Sequence, residues 1–531
     1  MSFIGLHFGN TSTSIAVTKG DGKVDVIASP DGERAIPSAL SYVGTDEYHG
    51  GQALAQLIRN PQNTIINFRD FAGVSFDKAV LPEIVNSAKA INVDGKVGYE
   101  IEEDGKTTKI TVDEVIKRHF QQIKAAAEDY IGNKVEGVVL TTPTNFSDEQ
   151  KKALKSATKE AGLNVLQFIN EPSAALLAHL TANNKLEEDR IYVVADFGGV
   201  RSDAAVITAR GGIFTILATE HNFELGGDQL DAALSEFFAK EFEKKYKANP
   251  RKTQRSLAKL KSECITTKKT LSNVQSSTIS IDSLSDGFDF HSSINRLRYE
   301  VVARDIFSKM AAFVEETVRK AGLETLDIDE VLLVGGTSNT PRLASNVQFI
   351  FPESTVVVSP ALDSKALDPS ELICRGAALQ AALIESYDED EINQSLQPVV
   401  VNLEHIAKPI GLKNADGEFI QIISRETAYP IKRSLTFDTP GDVLIELYEG
   451  ERTIEESTVE PEEGEEEYSD EEPEVLKKVV YVPGQLLAQI PFKGETANGK
   501  LEVIVRITVD GLLQATVRSG DKVERVDVHS T

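Results

Sequence analysis

Residues 4–17 read IGLHFGNTSTSIAV, and residues 193–206 read VVADFGGVRSDAAV. At an offset of 189 residues, Phe8 meets Phe197, Gly9 meets Gly198, Ala16 meets Ala205 and Val17 meets Val206. Each stretch is an apolar run, a glycine-containing tight turn and a second small or apolar run. That is the pattern of a β-hairpin whose turn bares backbone N–H groups. A hairpin repeated so far along the chain predicts a duplicated, two-lobed domain with a cleft between its halves.

Working outward, the residues between and after the hairpins read as α/β. The run VEGVVLTT at 135–142 is a buried strand. Ser147 with Gln150 has capping-box spacing, and Gly162 closes that helix. Residues 163–168 form the next strand, and Pro172 is placed for the first position of a following helix. In the second half, Leu225-Gly226-Gly227-Asp228 opens a helix whose Leu230, Leu234, Phe237 and Phe238 share a stripe. The strand 331–334 runs into Gly335-Gly336-Thr337, and Pro341 starts another helix.

The texture changes near Asp388. Residues 388–404 read as a polar linker passing through Pro398 and three valines. Alternating strands follow, with Leu501, Val503, Val505, Ile507 and Val509 on one face and Asp510-Gly511 as a two-residue hairpin turn. Within 455–474, twelve of twenty residues are acidic and none is basic, so this stretch reads as a solvated loop. It contains Tyr468 and Ser469 in an acidic setting suited to a kinase, although a plain solvated loop is the favoured reading. The expected domains are 1–387 (lobes 1–187 and 188–387), the linker 388–404, and a β-sandwich over 405–531 with no residues left for a helical lid.

Composition narrows the function. Fifty-six Lys and Arg against eighty-three Asp and Glu give a net charge of −27, which disfavours broad contact with nucleic acid or anionic lipid. No apolar run is long enough to span a bilayer, and no signal peptide is visible at the start. Two cysteines, Cys264 and Cys374, fit a reducing compartment, and eight scattered histidines offer no zinc-ligand spacing.

Four glycine turns stand at strand ends: Gly9, Gly198-Gly199, Gly226-Gly227 and Gly335-Gly336. A lone pair is usually a plain turn. Four at strand ends, two of them in a repeated hairpin, point to backbone N–H groups brought close to a phosphate. On these turns, and on FINEPSAALLAH, LGGDQLD, KKTLS, ISIDSL, LLVGGTSNTPRL, GAALQAAL and VLIELYEGER, the chain resembles the 70-kDa heat-shock chaperones of the actin and sugar-kinase superfamily. The resemblance implies a two-lobed actin-like nucleotide-binding domain of α/β class, followed by a small lidless β-sandwich. It also implies ATP as ligand, with Mg2+ held through the phosphates and water rather than by protein side chains. The nucleotide-contacting positions it implies are Gly9, Asn10, Thr11, Asp196, Gly198, Gly199, Gly226, Gly227, Asp228, Lys268, Ser272, Gly335, Gly336 and Thr337.

The departures from that pattern are informative. The family's catalytic Lys falls on Arg69, its metal-associated Asp on His7, and the first of two Thr on Asn10. In the second hairpin a Gly is Val200 and a Thr is Arg201, while Asp203 is kept; Glu171 and Asp196 keep the acidic pair. Ile265, Asn339 and Ser370 replace a Glu, an Arg and an Asp around the adenosine. A planar guanidinium cannot stand in for one compact ammonium, so ATP binding with negligible hydrolysis is expected, and Arg69, Glu171 and Asp196 are vestigial catalytic positions. Arg201 reads equally as a phosphate contact or a solvated surface residue, and His7 as standing near the phosphates or, the favoured reading, filling space in its hairpin.

Together these features resemble the Ssz-type branch of the fungal cytosol. That resemblance implies a stable heterodimer with the J-domain protein zuotin, contact with the ribosome through that partner, and stimulation of a separate Ssb-type chaperone acting on nascent chains. An active ATP-hydrolysing peptide-binding chaperone is the alternative. A sugar-kinase-like transferase has no use for the linker and sandwich.

Overall fold

The computed structural model describes residues 2–528 apart from 21, 83–85, 386, 396–403, 440, 459–474 and 494–498. Strands Ser2–Phe8 and Ser12–Thr18 form the first hairpin, and Arg190–Phe197 and Ser202–Arg210 the second. Their registers coincide at the sequence offset: Gly5 pairs with Ala16 and Phe8 with Thr13, as Val194 pairs with Ala205 and Phe197 with Ser202. Each turn closes on the same backbone bond, Gly9 N–H to Ser12 O at 2.9 Å and Gly198 N–H to Arg201 O at 3.0 Å.

The sheets around the hairpins repeat one topology. In the first, the order is Asn164–Asn170, Val135–Thr142, Ser2–Phe8, Ser12–Thr18, Val24–Ile27. In the second it is Val356–Val358, Glu330–Val334, Arg190–Phe197, Ser202–Arg210, Ile213–Asn222. In both, the first hairpin strand pairs in parallel with the strand that follows the excursion, so both hairpin turns lie at the carboxyl ends of parallel strands, where α/β sheets place ligands. Each sheet anchors its own core, Phe8, Phe68, Phe120 and Leu140 in one and Phe197, Phe238, Phe242 and Phe307 in the other.

Helix Leu372–Ile384 joins the lobes, and small residues let it lie close. A Cβ on Gly376 would collide with the Ala174 carbonyl of helix Glu171–Ala182, and one on Gly5 with the backbone of Ala378. This is the packing reason for GAALQAAL. Cys374 and Cys264 are free and buried.

Helix Asp148–Glu160 begins with the expected capping box, Ser147 with Gln150. Pro172 takes the second position of its helix rather than the first, because Glu171 is already helical. Phe237 packs at the margin of the core while Leu230, Leu234 and Phe238 are buried within it. Part of the expected linker is also helical, Glu389–Ser395. Asp388 accepts from the Glu391 amide at 2.8 Å and its own amide donates to the Glu391 carboxylate at 2.9 Å, a reciprocal cap hidden in an acidic run. The valines 399–401 lie outside the described residues.

Among the described residues, eight strands from Ile410 onward form two four-stranded antiparallel sheets. Ile410, Leu412, Ile445, Leu447, Ile490 and Phe492 on one face Leu501, Val503, Val505, Leu513, Ala515 and Val517 on the other. Two details correct the sequence reading. The connection after Thr508 is three residues long, since Thr508 N–H bonds Leu512 O, Gly511 takes φ +75°, and Val509 is exposed. The acidic stretch begins inside a strand, because Val443–Thr458 pairs with Val475–Phe492 as far as Thr458 and Val475. Glu455 and Glu456 stand opposite Lys478 and Lys477 there, and opposite charges across strands support the pairing. Residues 459–474, including Tyr468 and Ser469, lie outside the described residues.

The sandwich rests on the second lobe. Arg210, buried, donates to the Arg425 carbonyl at 3.0 Å, and Ser424 donates to Asp189 at 2.8 Å. Arg452 donates to Asp327 at 2.9 Å and to Glu324 at 2.7 Å, while Arg425 lies 3.6 Å from Asp327.

Candidate functional site in the interlobe cleft

The two hairpin turns meet across the cleft. A Cβ on Gly199 would fall 2.5 Å from the Thr11 methyl carbon, so only glycine permits this approach. The amides of Asn10, Thr11, Gly199 and Val200 make no hydrogen bond among the described residues. Behind them, helix Gly227–Tyr246 points its N-terminus at the second turn, with Gly227 N–H bonding Gly198 O at 3.0 Å and Asp228 N–H bonding Gly199 O at 2.7 Å. The Thr337 hydroxyl donates to Gly198 O at 2.9 Å. Gly335 takes φ +84°, and a side chain there would strike the Asp196 carboxylate. A Cβ on Gly336 would meet nothing within 4 Å. Lys268 donates to Asp231 at 2.8 Å and to Gly227 O at 3.0 Å, and Ser272 follows one turn on along the same helix. Lys261 neutralises Asp228 at 2.9 Å.

The expected positions are therefore gathered around one cleft. Gly198, Gly199, Gly226, Gly227, Asp228, Thr337 and Lys268 form a connected wall, with Gly9, Asn10 and Thr11 facing it. The free amides at the turn tips and the glycine approaches fit a phosphate chain. The helix N-terminus fits less well, since its first amides are already spent on the turn carbonyls.

The acidic floor departs from expectation. Arg69, buried, donates to Glu171 at 3.1 Å, to Asp70 at 2.8 Å and to the Phe8 carbonyl at 3.3 Å. Arg201 is not a surface residue. It is buried, forks onto both Asp203 oxygens, and reaches Asp70 at 3.1 Å and Asn145 at 3.2 Å. Phe223 covers its guanidinium at 4.5 Å. His221 completes the cluster, 2.6 Å from Asp203 and 3.4 Å from the Thr144 hydroxyl. Asn10 donates to Asp70 at 2.6 Å. The His7 Nε2 lies 3.6 Å from Glu171, beyond a hydrogen bond, and its Nδ1 has no partner among the described residues.

The charges follow from burial and neighbours. Burial opposes the Asp70 charge, but Arg69 and Arg201 outweigh it and hold its carboxyl below the ordinary range. Burial likewise opposes the Asp203 charge, and His221 and Arg201 overcome it. Glu171 is pushed up to about 8 by burial, with Arg69 opposing and Asp196 and Asp203 adding to the rise. Asp196 rises to about 7 through burial and the Asp203 charge. Burial, aided by Arg69, lowers His7 to about 3, so it is neutral. Two guanidinium groups thus compensate the carboxylates from within the chain. Among the described residues no group of three or more His, Cys, Asp or Glu is placed to hold a metal ion by itself.

Sequence reasoning did not single out Asp70, Asn145, His221 or Phe223. The available signal was the arginine at position 201 in an otherwise acid-bearing turn: a buried arginine requires an anion, and Asp203, two residues on, is the candidate the motif offers.

The duplicated hairpin sheets, the glycine-lined cleft and the appended sandwich define a two-lobed, actin-like ATPase-type domain joined to a β-sandwich domain. The comparisons agree. The family described as Hsp70 protein matches residues 3–460. The chain is 56% identical over 525 residues to the ribosome-associated complex subunit SSZ1 of Saccharomyces cerevisiae, covering 97% of each chain. It is 44% identical to the heat shock protein 70 homolog C57A7.12 of Schizosaccharomyces pombe, covering 98% of this chain and 94% of that one. A heat shock 70 kDa protein of Emericella nidulans is 32% identical, over 85% of this chain and 68% of the relative. The chain belongs to the Hsp70 family, as an Ssz-type member.

Proposed function

We propose that this protein is a chaperone subunit that binds ATP, with Mg2+ carried on the phosphates and their water, and hydrolyses it little or not at all. The observation that carries this is the engagement of Glu171, Asp70 and Asp203 by Arg69 and Arg201. Bound ATP supplies a transferable γ-phosphoryl group, and transfer to water depends on positioned charge and an oriented nucleophile. Here the buried acid is tied to a guanidinium, the neighbouring His7 is neutral, and the compact ammonium of an active site is replaced by a fork already satisfied on three oxygens. Arg69 and Arg201 hold Glu171, Asp70 and Asp203 in place, so that of the acidic pair only Asp196 lies outside their hydrogen bonds, and among the described residues it has no cationic partner positioned beside it to orient water.

The working role is that of a scaffold and co-chaperone. The yeast relative that is identical at more than half of the aligned positions is a ribosome-associated complex subunit by name. A stable J-domain partner of zuotin type, ribosome contact through that partner in the cytoplasm, and stimulation of an Ssb-type chaperone folding nascent chains follow as the reading. The charge of −27 supports indirect contact with ribosomal RNA. The sandwich keeps exposed apolar residues on its edge strands, Ile420 on one side and Val482 and Leu486 on the other, which suits a partner segment added along an edge. Purification from cytosolic lysate with ribosome fractions tests this. A J-domain protein should co-purify in equal amount and carry the subunit onto ribosomes; recovery of the chain alone, free of ribosomes, overturns it.

A further inference from the structure

Arg201 stands on the second hairpin turn, yet half of its partners belong to the other lobe. Its guanidinium is held on Asp203 of its own sheet and reaches Asp70 at 3.1 Å and Asn145 at 3.2 Å across the cleft. Asp70 in turn takes Arg69, which reaches Glu171 at the start of helix Glu171–Ala182. His221 adds a second crossing, to Thr144 at 3.4 Å. Above this chain the turns touch directly at Thr11 and Gly199. The Arg201 and Arg69 side chains are both about 5% exposed, so these pairs are little screened by solvent.

We propose that Arg201 is an interlobe bolt, and that the cleft is held closed by the chain's own ion pairs whether or not nucleotide is present. A ligand shifts a conformational equilibrium only by its differential affinity for the two states. In a cleft closed by phosphate contacts alone, removing nucleotide removes the contacts that favour closure. Here Asp70 and Asn145 supply contacts of the same kind from within the chain, so nucleotide has little left to add. The protein presents one fixed shape to a partner, as a scaffold requires. The inference rests on reading this cleft as the nucleotide cleft, but not on how tightly ATP binds.

The test is hydrogen exchange on the full-length protein, stripped of nucleotide and then with saturating ATP, following peptides over 64–75, 143–148 and 221–226, which exclude the turn amides that ATP would cover directly. A fluorescent ATP analogue measures binding in parallel. In the native chain, exchange in these peptides should be the same with and without ATP. In Arg201→Thr, exchange of the stripped protein should rise severalfold and be suppressed again by ATP. Asp70→Asn removes the same crossing from the opposite lobe and should behave alike, which covers the case that the first variant does not fold. Strong ATP-dependent protection in the native chain, or unchanged exchange in folded variants, overturns the bolt. If the analogue does not bind at all, the ATP-binding reading fails, while faster exchange of the stripped variants still upholds the bolt.

Discussion

The Arg69 guanidinium donates to the Glu171 carboxyl group at 3.1 Å, with both side chains about 5% exposed. Because Arg69 also holds Asp70, which Arg201 shares, the loss of chemistry is distributed over several residues. Arg69→Lys alone should therefore leave the single-turnover hydrolysis rate within about tenfold of the native chain, a change of about 1.4 kcal/mol in barrier. Rapid hydrolysis from that one substitution would place the whole defect at position 69.

The protonation of Glu171 gives stability a pH dependence. Its folded value, about 8, lies above the ordinary carboxylate value of 4.5, so the stability it contributes is full below about 4.5 and is lost as pH rises through 8. Glu171→Gln fixes the neutral form. The melting temperature of the variant should gain on that of the native chain between pH 5.5 and pH 8.5, by scanning calorimetry. A difference that stays constant, or runs the other way, contradicts the assignment.

The close approach of Gly376 to the Ala174 carbonyl leaves no room for a methyl group. Gly376→Ala should cost at least about 1–3 kcal/mol, the usual scale of overpacking. Gly336→Ala, in open space, should stay within about 0.5 kcal/mol. Denaturant melts of the two variants compare them directly.

Asp327 receives Arg452 at 2.9 Å and faces Arg425 at 3.6 Å, both from the sandwich. Asp327→Ala leaves both arginines without this carboxylate and should weaken the docking of the sandwich by about 1–3 kcal/mol. Hydrogen exchange should quicken around 424–427 and 208–215 while the first hairpin is unaffected.

Much of the fold was legible because it rests on periodic and local signals. The repeated hairpin announced the duplicated, two-lobed domain, and the structure shows one shared register, Phe8 with Thr13 and Phe197 with Ser202. Ser147 and Gln150 marked a helix start by spacing alone. The misses came where one signal masked another. In DEDE, the charge run concealed the Asp388–Glu391 cap. At Glu455 and Glu456, acidity suggested a loop, but Lys477 and Lys478 lay on the facing strand, paired across a hairpin whose register the intervening stretch does not announce. In the cleft the glycine turns were readable one by one, whereas the Arg201–Asp70 contact joins residues 131 positions apart and follows from lobe closure, which no local pattern encodes.

The most direct test of a nucleotide site without turnover uses the purified full-length protein loaded with one equivalent of radiolabelled ATP. The expected result is that label stays with the protein and remains ATP over many minutes, in amount proportional to the protein. Release of phosphate in a single fast phase, with a rate that follows this polypeptide through successive columns, would contradict it.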